Sequence, residues 1–298
     1  MRTPVVIVFF NRIAPLKKLV ARLSAVKPPK IYLISDGPRR NKTDEDQQVK
    51  TCREFMSRLP WVCEIKSNFS ESNLGCRERV TSGLDWVFSI EERAIILEDD
   101  CIPEIEFFSW AEDMLDRYSA DPQIMSISGT NLRPSLCNKE IDCTFIKHPM
   151  IWGWATWRRA WKLNDAGLAG FDAARRDHII RKWLGSLRAE LYWKYVLTHV
   201  PTSWGYRWSF SHFINSAFCV VPTVNLVENI GMLDGGATHT SDNPYDLPTI
   251  THGWRPCGKP MEVVDNRALD EWIENHIFSR SFVPRVKWIV AKIWRKLH

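Results

Sequence analysis

Five short apolar runs punctuate the first 130 residues, at positions 4–10, 30–35, 62–66, 93–97 and 123–128. Between them, residues 14–25, 44–58, 75–90 and 104–118 repeat their apolar side chains at helical spacing, and Thr43 with Asp46 offers a capping box for the second helix. This alternation leaves few folds open. Strand, helix, strand in sequence predicts right-handed crossovers and a mainly parallel central sheet flanked by helices, an α/β, Rossmann-like architecture. Such sheets bind ligands beyond the carboxyl ends of their strands, so the residues just after each apolar run are where chemistry is expected.

Four of these positions are polar. The first run ends in Asn11-Arg12, the second in Ser35-Asp36-Gly37-Pro38-Arg39, the third leads to Asn73-Leu74-Gly75, and the fourth ends in Glu98-Asp99-Asp100. No GxGxxG follows the first run and no GxxxxGK[ST] occurs, so neither a dinucleotide fingerprint nor a P-loop is present. A phosphate bound here would need a metal ion instead. Glu98-Asp99-Asp100 supplies the hard oxygen ligands that Mn²⁺ or Mg²⁺ prefers, and such ions commonly combine one or two carboxylates with substrate phosphates. An isolated acidic triplet is usually a solvated turn; directly after Ala94-Ile95-Ile96-Leu97, the metal-binding reading is preferred.

The second half differs in character. Eight of the 15 tryptophans fall between positions 152 and 208. Trp157 and Trp161, one helical turn apart, read as core. Trp152, Trp154 and Trp204 are open to two readings, core packing or an apolar platform for the acceptor sugar, with Gly153 allowing close approach. Short strands are expected at 218–221 and 225–227. The following segment, 229–240, holds Gly231, Gly235 and Gly236 and reads as a mobile lid in which His239 is a candidate metal or diphosphate contact.

Charge separates the chain into two parts. Forty bases against 35 acids leave +5, but 285–298 holds Arg285, Lys287, Lys292, Arg295 and Lys296 with no acid, so residues 1–284 balance at 35 against 35. A balanced body argues against nucleic acid as a partner. The tail interleaves its bases with Val286, Ile289, Val290, Ile293 and Leu297 and reads either as a basic amphipathic helix on an anionic membrane surface or as a terminal helix packed on the domain. Eight cysteines at irregular spacing, with no CxxC pair, read as reduced thiols, and no early apolar run is long enough for a membrane span. The location expected is cytoplasmic, peripheral on the inner face of the membrane where the tail binds one.

The residues now assembled carry a resemblance. Val5-Val6-Ile7-Val8-Phe9-Phe10-Asn11-Arg12, Ile34-Ser35-Asp36-Gly37, Asn73-Leu74-Gly75 and Ile95-Ile96-Leu97-Glu98-Asp99-Asp100-Cys101-Ile102-Pro103 resemble the GT-A nucleotide-sugar glycosyltransferases. Within that fold they are most similar to bacterial sugar transferases related to the N-acetylglucosaminyltransferase I type. Trp152-Gly153-Trp154 and the 229–239 segment match the same group. The resemblance implies one GT-A-like catalytic domain over 1–265, with a nucleotide-sugar half (1–130) and a smaller mixed acceptor half (131–265), followed by a helical tail (266–298).

It also implies transfer of a sugar from a UDP-linked donor to the hydroxyl of a glycan or lipid-linked acceptor in surface glycan assembly. By position, Asp36 would read the uracil, and Arg12, Asn73, Arg77 and Glu98 would contribute to nucleotide binding. Asp99 would contact the ribose and Asp100 would bind Mn²⁺ or Mg²⁺ across the diphosphate. Transferases of this type invert the anomeric centre and need a general base within about 3 Å of the acceptor hydroxyl. Here the chain departs from the pattern, because Gly205 stands where an aspartate is expected. Asp172, His212 and Asp234 are the candidates left. Two alternatives follow: a degenerate transferase that binds sugar nucleotide or glycan without turnover, and a nucleotidyltransferase, whose glycine-rich basic loop is missing after the first strand.

Overall fold

A computed structural model describes residues 1–232, 250–258 and 262–278. Asp234, His239 and the basic segment 285–298 lie outside the described residues. The first half runs β1 (Val5–Phe9), α1 (Ile13–Val26), β2 (Lys30–Ser35), α2 (Glu45–Met56), β3 (Glu64–Phe69), α3 (Cys76–Ile90), β4 (Arg93–Glu98), β5 (Cys101–Pro103), α4 (Ile105–Arg117) and β6 (Ile124–Ser128). The second contains β7 (Cys143–Ile146), β8 (Trp154–Trp157), α5 (Arg158–Trp161), α6 (Phe171–Arg176), α7 (Ile179–Leu184), α8 (Leu187–His199), α9 (Trp204–Ile214), β9 (Phe218–Pro222), β10 (Val227–Asn229) and α10 (Arg267–Ile273).

Eight strands form one sheet in the order β3-β2-β1-β4-β8-β6-β9-β7. The β3-β2-β1-β4 half is wholly parallel, as the strand–helix alternation predicts. Its inner strands carry continuous apolar runs, with Val5, Val6, Ile7 and the whole of Ala94-Ile95-Ile96-Leu97 fully buried, which is the pattern of strands covered by helices on both faces. The third strand starts later than its apolar run suggests. Val62 is fully exposed, and pairing with β2 begins at Glu64, opposite Lys30.

The other half is mixed. Strand β8 enters antiparallel between β4 and β6, β9 is parallel to β6, and β7 closes the edge antiparallel to β9. The expected capping box at Thr43 does not form. Asp44 precedes α2 in a left-handed conformation (φ 67°) with no side-chain cap, and Glu45 instead turns inward to take the Arg39 guanidinium and backbone N–H. Of the segment expected as a tail, 266–278 packs on β7 and β9: Leu269 and Ile273 are buried with Ile146, Cys219 and Val221.

The aromatic residues of the second half build core. Trp157 and Trp161 are buried, as their spacing predicts, and Trp161 packs with Trp154 and Trp208 at ring separations of 6.3 and 5.2 Å. His212 anchors α9 to the sheet. Its Nδ1 lies 3.0 Å from the Trp208 carbonyl oxygen, which only accepts, so Nδ1 carries the proton and Nε2 accepts from the Ser126 hydroxyl at 2.9 Å. Complete burial pushes the imidazole pKa down to about 3, so the ring is neutral in the folded state.

The unfolded chain takes up this proton near pH 6.5 and the folded chain refuses it, so His212 makes folding less favourable as pH falls below 6.5. Replacing it with an apolar residue removes that penalty together with the two hydrogen bonds. His212→Leu is therefore expected to lose about 1–3 kcal/mol at pH 7.5, with the gap to the wild type narrowing by about 1.4 kcal/mol per pH unit below 6.5. Denaturant midpoints of both proteins at pH 7.5 and 5.5 check the magnitude and the sign.

Candidate active site

The parallel register sets the polar ends of three strands side by side. Phe9 pairs with Ser35 and Val8 with Glu98, so Asn11-Arg12, Asp36 and Glu98-Asp99-Asp100 lie along one rim. Asp36 is nearly buried and fully engaged. Its Oδ1 accepts the N–H groups of Gly37 and Leu74, and its Oδ2 that of Gly75, each at 2.9 Å. Asn73 answers with a 2.8 Å bond to the Gly37 carbonyl, so the turns after β2 and before α3 form a single unit. Two arginines brace it from below. Arg53 donates to the Ser35 hydroxyl and to the carbonyls of Asp36 and Ser70, and Arg79 donates to Asn68.

Beside this unit stands the acidic triplet with Arg12. Arg12 makes a fork to both oxygens of Asp99 and a 2.9 Å bond to Asp100 Oδ2. Burial penalises its charge, yet the two carboxylates outweigh that and hold its pKa above the ordinary value. The carboxylates are affected in the opposite sense. Burial, followed by repulsion from Asp100 and Asp99, pushes Glu98 up to about 8, against the indole N–H of Trp204, which hydrogen-bonds the Glu98 side chain. Burial also raises Asp99 to about 6, although Arg12 opposes it. Three acids with one guanidinium leave this end of β4 short of positive charge.

This donor set fits a divalent cation in one mode only. Among the described residues, no group of three His, Cys, Asp or Glu side chains could hold a metal by itself. A cation would rest on Asp100, with substrate oxygens and water completing its shell, the usual arrangement for Mg²⁺. The neighbourhood leaves room for that carboxylate. Ile230 donates its N–H to the Asp100 carbonyl at 2.9 Å, and a Cβ on Gly231 would lie only 2.2 Å from Asp100 Oδ2, so no larger residue is accommodated there.

The remaining expected residues are scattered. Arg77, at the start of α3, donates to the Pro201 carbonyl at 2.8 Å and pairs with Glu78. Trp154 and Trp204 stack on each other at 5.5 Å and are 0% and 4% exposed, so their rings are core and offer no face to a sugar. Trp152 is half-buried, and its carbonyl accepts from the Thr130 hydroxyl. Among the candidate bases, His212 is sealed between α9, to which it belongs, and the sheet, out of reach of an acceptor. Asp172 stands in solvent on α6, 3.8 Å from Arg175. At Gly205 an added Cβ would lie 2.7 Å from Ile151 Cδ1, so the place of the expected aspartate is filled by a neighbouring side chain.

Sequence reasoning missed Arg53, Arg79 and the Trp204–Glu98 contact. Only Arg79 left a signal: it falls within the inward stripe of α3 that holds Val80, Gly83, Leu84 and Val87. No protein-family model and no curated protein matches the sequence. Among solved structures, a mannosyltransferase from Pyrobaculum calidifontis in complex with GDP-Man and Mn²⁺ is 14% identical over 72% of this chain and 70% of its own, with a TM-score of 0.39. HddC from Yersinia pseudotuberculosis complexed with GMP-PN (13% identity, 53% and 77%, TM-score 0.33) and a UDP-glucose pyrophosphorylase complexed with UDP-glucose (9%, 55% and 79%, TM-score 0.34) are also similar. At these identities and TM-scores the likenesses carry no conclusion about activity.

Arg12→Ala would leave the triplet without its cation. The variant is expected to be less stable by about 1–3 kcal/mol, the range between exposed and buried ion pairs. Millimolar Mn²⁺ should then raise the melting temperature of the variant more than that of the wild type; no shift in either protein would mean that the triplet holds no added cation.

Proposed function

We propose that this chain is a metal-dependent inverting glycosyltransferase that moves a sugar from a UDP-sugar to an acceptor hydroxyl, in the assembly of a surface glycan. The observation that carries the reading is the convergence of Arg12, Asp99 and Asp100 on the rim of the parallel half-sheet, with Gly231 admitting the Asp100 carboxylate where any side chain would clash with it. It is joined by the resemblance of the strand-end motifs to GT-A transferases. By that resemblance, the unit built on Asp36 and Asn73 would frame the nucleobase, Asp99 would meet the ribose, and Asp100 would hold Mn²⁺ or Mg²⁺.

A bound cation would act as a Lewis acid, offsetting the negative charge that builds on the departing diphosphate. Arg12 contributes to the same end from the protein, because its charge lies beside both carboxylates in a partly buried site where electrostatic interactions are stronger than in water. Its ion pairs hold Asp99 and Asp100 in place before substrate arrives, so little reorganisation is needed. The acceptor is a glycan or a lipid-linked sugar, and the basic segment 285–298 would bring the enzyme to an anionic membrane surface.

A second reading has its own observation. Ile151 fills the place of an aspartate at 205, and His212 and Asp172 stand apart from the rim, so no general base is assigned among the described residues. A protein that binds sugar nucleotide without turnover would need none.

Thermal denaturation with a panel of nucleotide sugars, with and without Mn²⁺, separates the readings when combined with assays for released UDP and pyrophosphate. A transferase gives Mn²⁺-dependent stabilisation by UDP-sugars together with UDP release. In Asp100→Ala that release should fall by about 10²–10³-fold, the usual cost of removing one key electrostatic group. Stabilisation without UDP release would establish binding alone, pyrophosphate would point to nucleotidyl transfer, and no stabilisation by any nucleotide sugar would overturn the proposal.

A further inference from the structure

Helix α8 presents two leucines to solvent. Leu187 and Leu191, one turn apart, are 51% and 48% exposed, while Ala189, Tyr192 and Trp193 on the same helix are buried. A surface helix normally places polar residues at such positions. The charge around them is one-sided. Arg181 and Lys182 are exposed on the adjoining α7, Arg175 and Arg176 on α6, and residues 170–199 hold six bases against three acids in a body that is balanced as a whole. One of those acids, Glu190, is buried and pairs with His178 at 2.8 Å and with Lys194, one of the six bases, at 2.9 Å, so the exposed bases Arg175, Arg176, Arg181 and Lys182 face two exposed acids. Asp172 and Asp177 are the exposed acids.

We propose that α7 and the exposed face of α8 dock on an anionic lipid bilayer, the leucines entering the headgroup boundary and Arg181 and Lys182 meeting lipid phosphates. Charge complementarity and size decide the occupant. Two half-exposed leucines fall far short of the roughly 800 Å² per partner of a stable protein interface. Interfacial binding to a bilayer, in contrast, is built from a few inserted apolar side chains and several bases, each acting near the membrane surface. This surface shares no residue with the basic segment 285–298.

The placement suits the proposed reaction. Over its 13 residues α8 runs about 18 Å, and its C-terminal end leads to the rim. There the chain turns at Pro201, held by Arg77, and enters α9 with Trp204 against Glu98. A bilayer at the Leu187 end would put lipid-linked acceptors within reach of the rim. That link rests on the transferase reading; the docking does not.

Sedimentation of the full chain with phosphatidylcholine vesicles, with and without phosphatidylglycerol, tests the docking. Binding should require phosphatidylglycerol and weaken by about tenfold in Leu187→Asn/Leu191→Asn and again in Arg181→Gln/Lys182→Gln. All four residues are at the surface, so melting temperatures should stay unchanged, as should any Mn²⁺-dependent stabilisation by UDP. Equal binding by the wild type and both double variants, equal binding to the two kinds of vesicle, or no binding by the wild type would overturn the proposal. Because no nucleotide sugar enters the vesicle assay, these outcomes are distinct from failure of the transferase reading.

Discussion

The ion pairs between Arg12 and the carboxylates of Asp99 and Asp100 hold together the functional end of this molecule. They join the residues that leave two neighbouring parallel strands, β1 and β4, at the point where both run out of apolar side chains. Three adjacent acids at the end of a buried strand would be costly without a cation, and burial together with mutual repulsion pushes Glu98 and Asp99 above the usual carboxylate range. Arg12 offsets part of this, and Trp204 a further part through its indole N–H. The rim is therefore only partly neutralised and still short of positive charge, which suits the metal-bridged diphosphate of the proposed reaction.

Around that pair the fold is arranged to hold the rim rigidly. Asp36 spends its hydrogen-bonding capacity on the backbone of its own turn and the next, so it acts first as a clamp on the loop before α3. Arg53 and Arg79 fix the strand ends beneath it. On the other side, β10 pairs with β5, immediately after the triplet, and this pairing brings Gly231 against Asp100. The aromatic half supplies the wall: Trp154, Trp161, Trp204 and Trp208 form a continuous packed group over β8, and the edge of that group reaches Glu98.

Much of the first half was legible because its elements are locally determined. The apolar runs that became β1, β2, β4 and β6 and the four helices between them need only periodicity to be seen, and the polar residues on the rim follow from where the runs stop. The start of β3 and the cap of α2 were not legible in the same way. Which residue of 62–69 pairs with Lys30 depends on register with β2, and Glu45 displaces the expected cap because Arg39, six residues earlier, folds back onto it. In the second half, the mixed strand directions and the inward turn of Trp154 and Trp204 come from contacts across long sequence separations. A tryptophan in a sequence carries no mark of whether its ring faces will be covered.

Local pattern alone is enough to set an α/β sheet with its acids, Arg12 and Asp36 at strand ends, since hydrophobic period and the order of elements along the chain are read directly from the residues. What those residues are bonded to depends on the packed fold. It made Asp36 a clamp, joined Arg12 to Asp99 and Asp100, closed His212 into the core, and filled the space beside Gly205 with Ile151. Each of these outcomes depends on which side chain arrives from a distant part of the chain, and on whether burial there leaves a charge paired, neutral or in need of a cation.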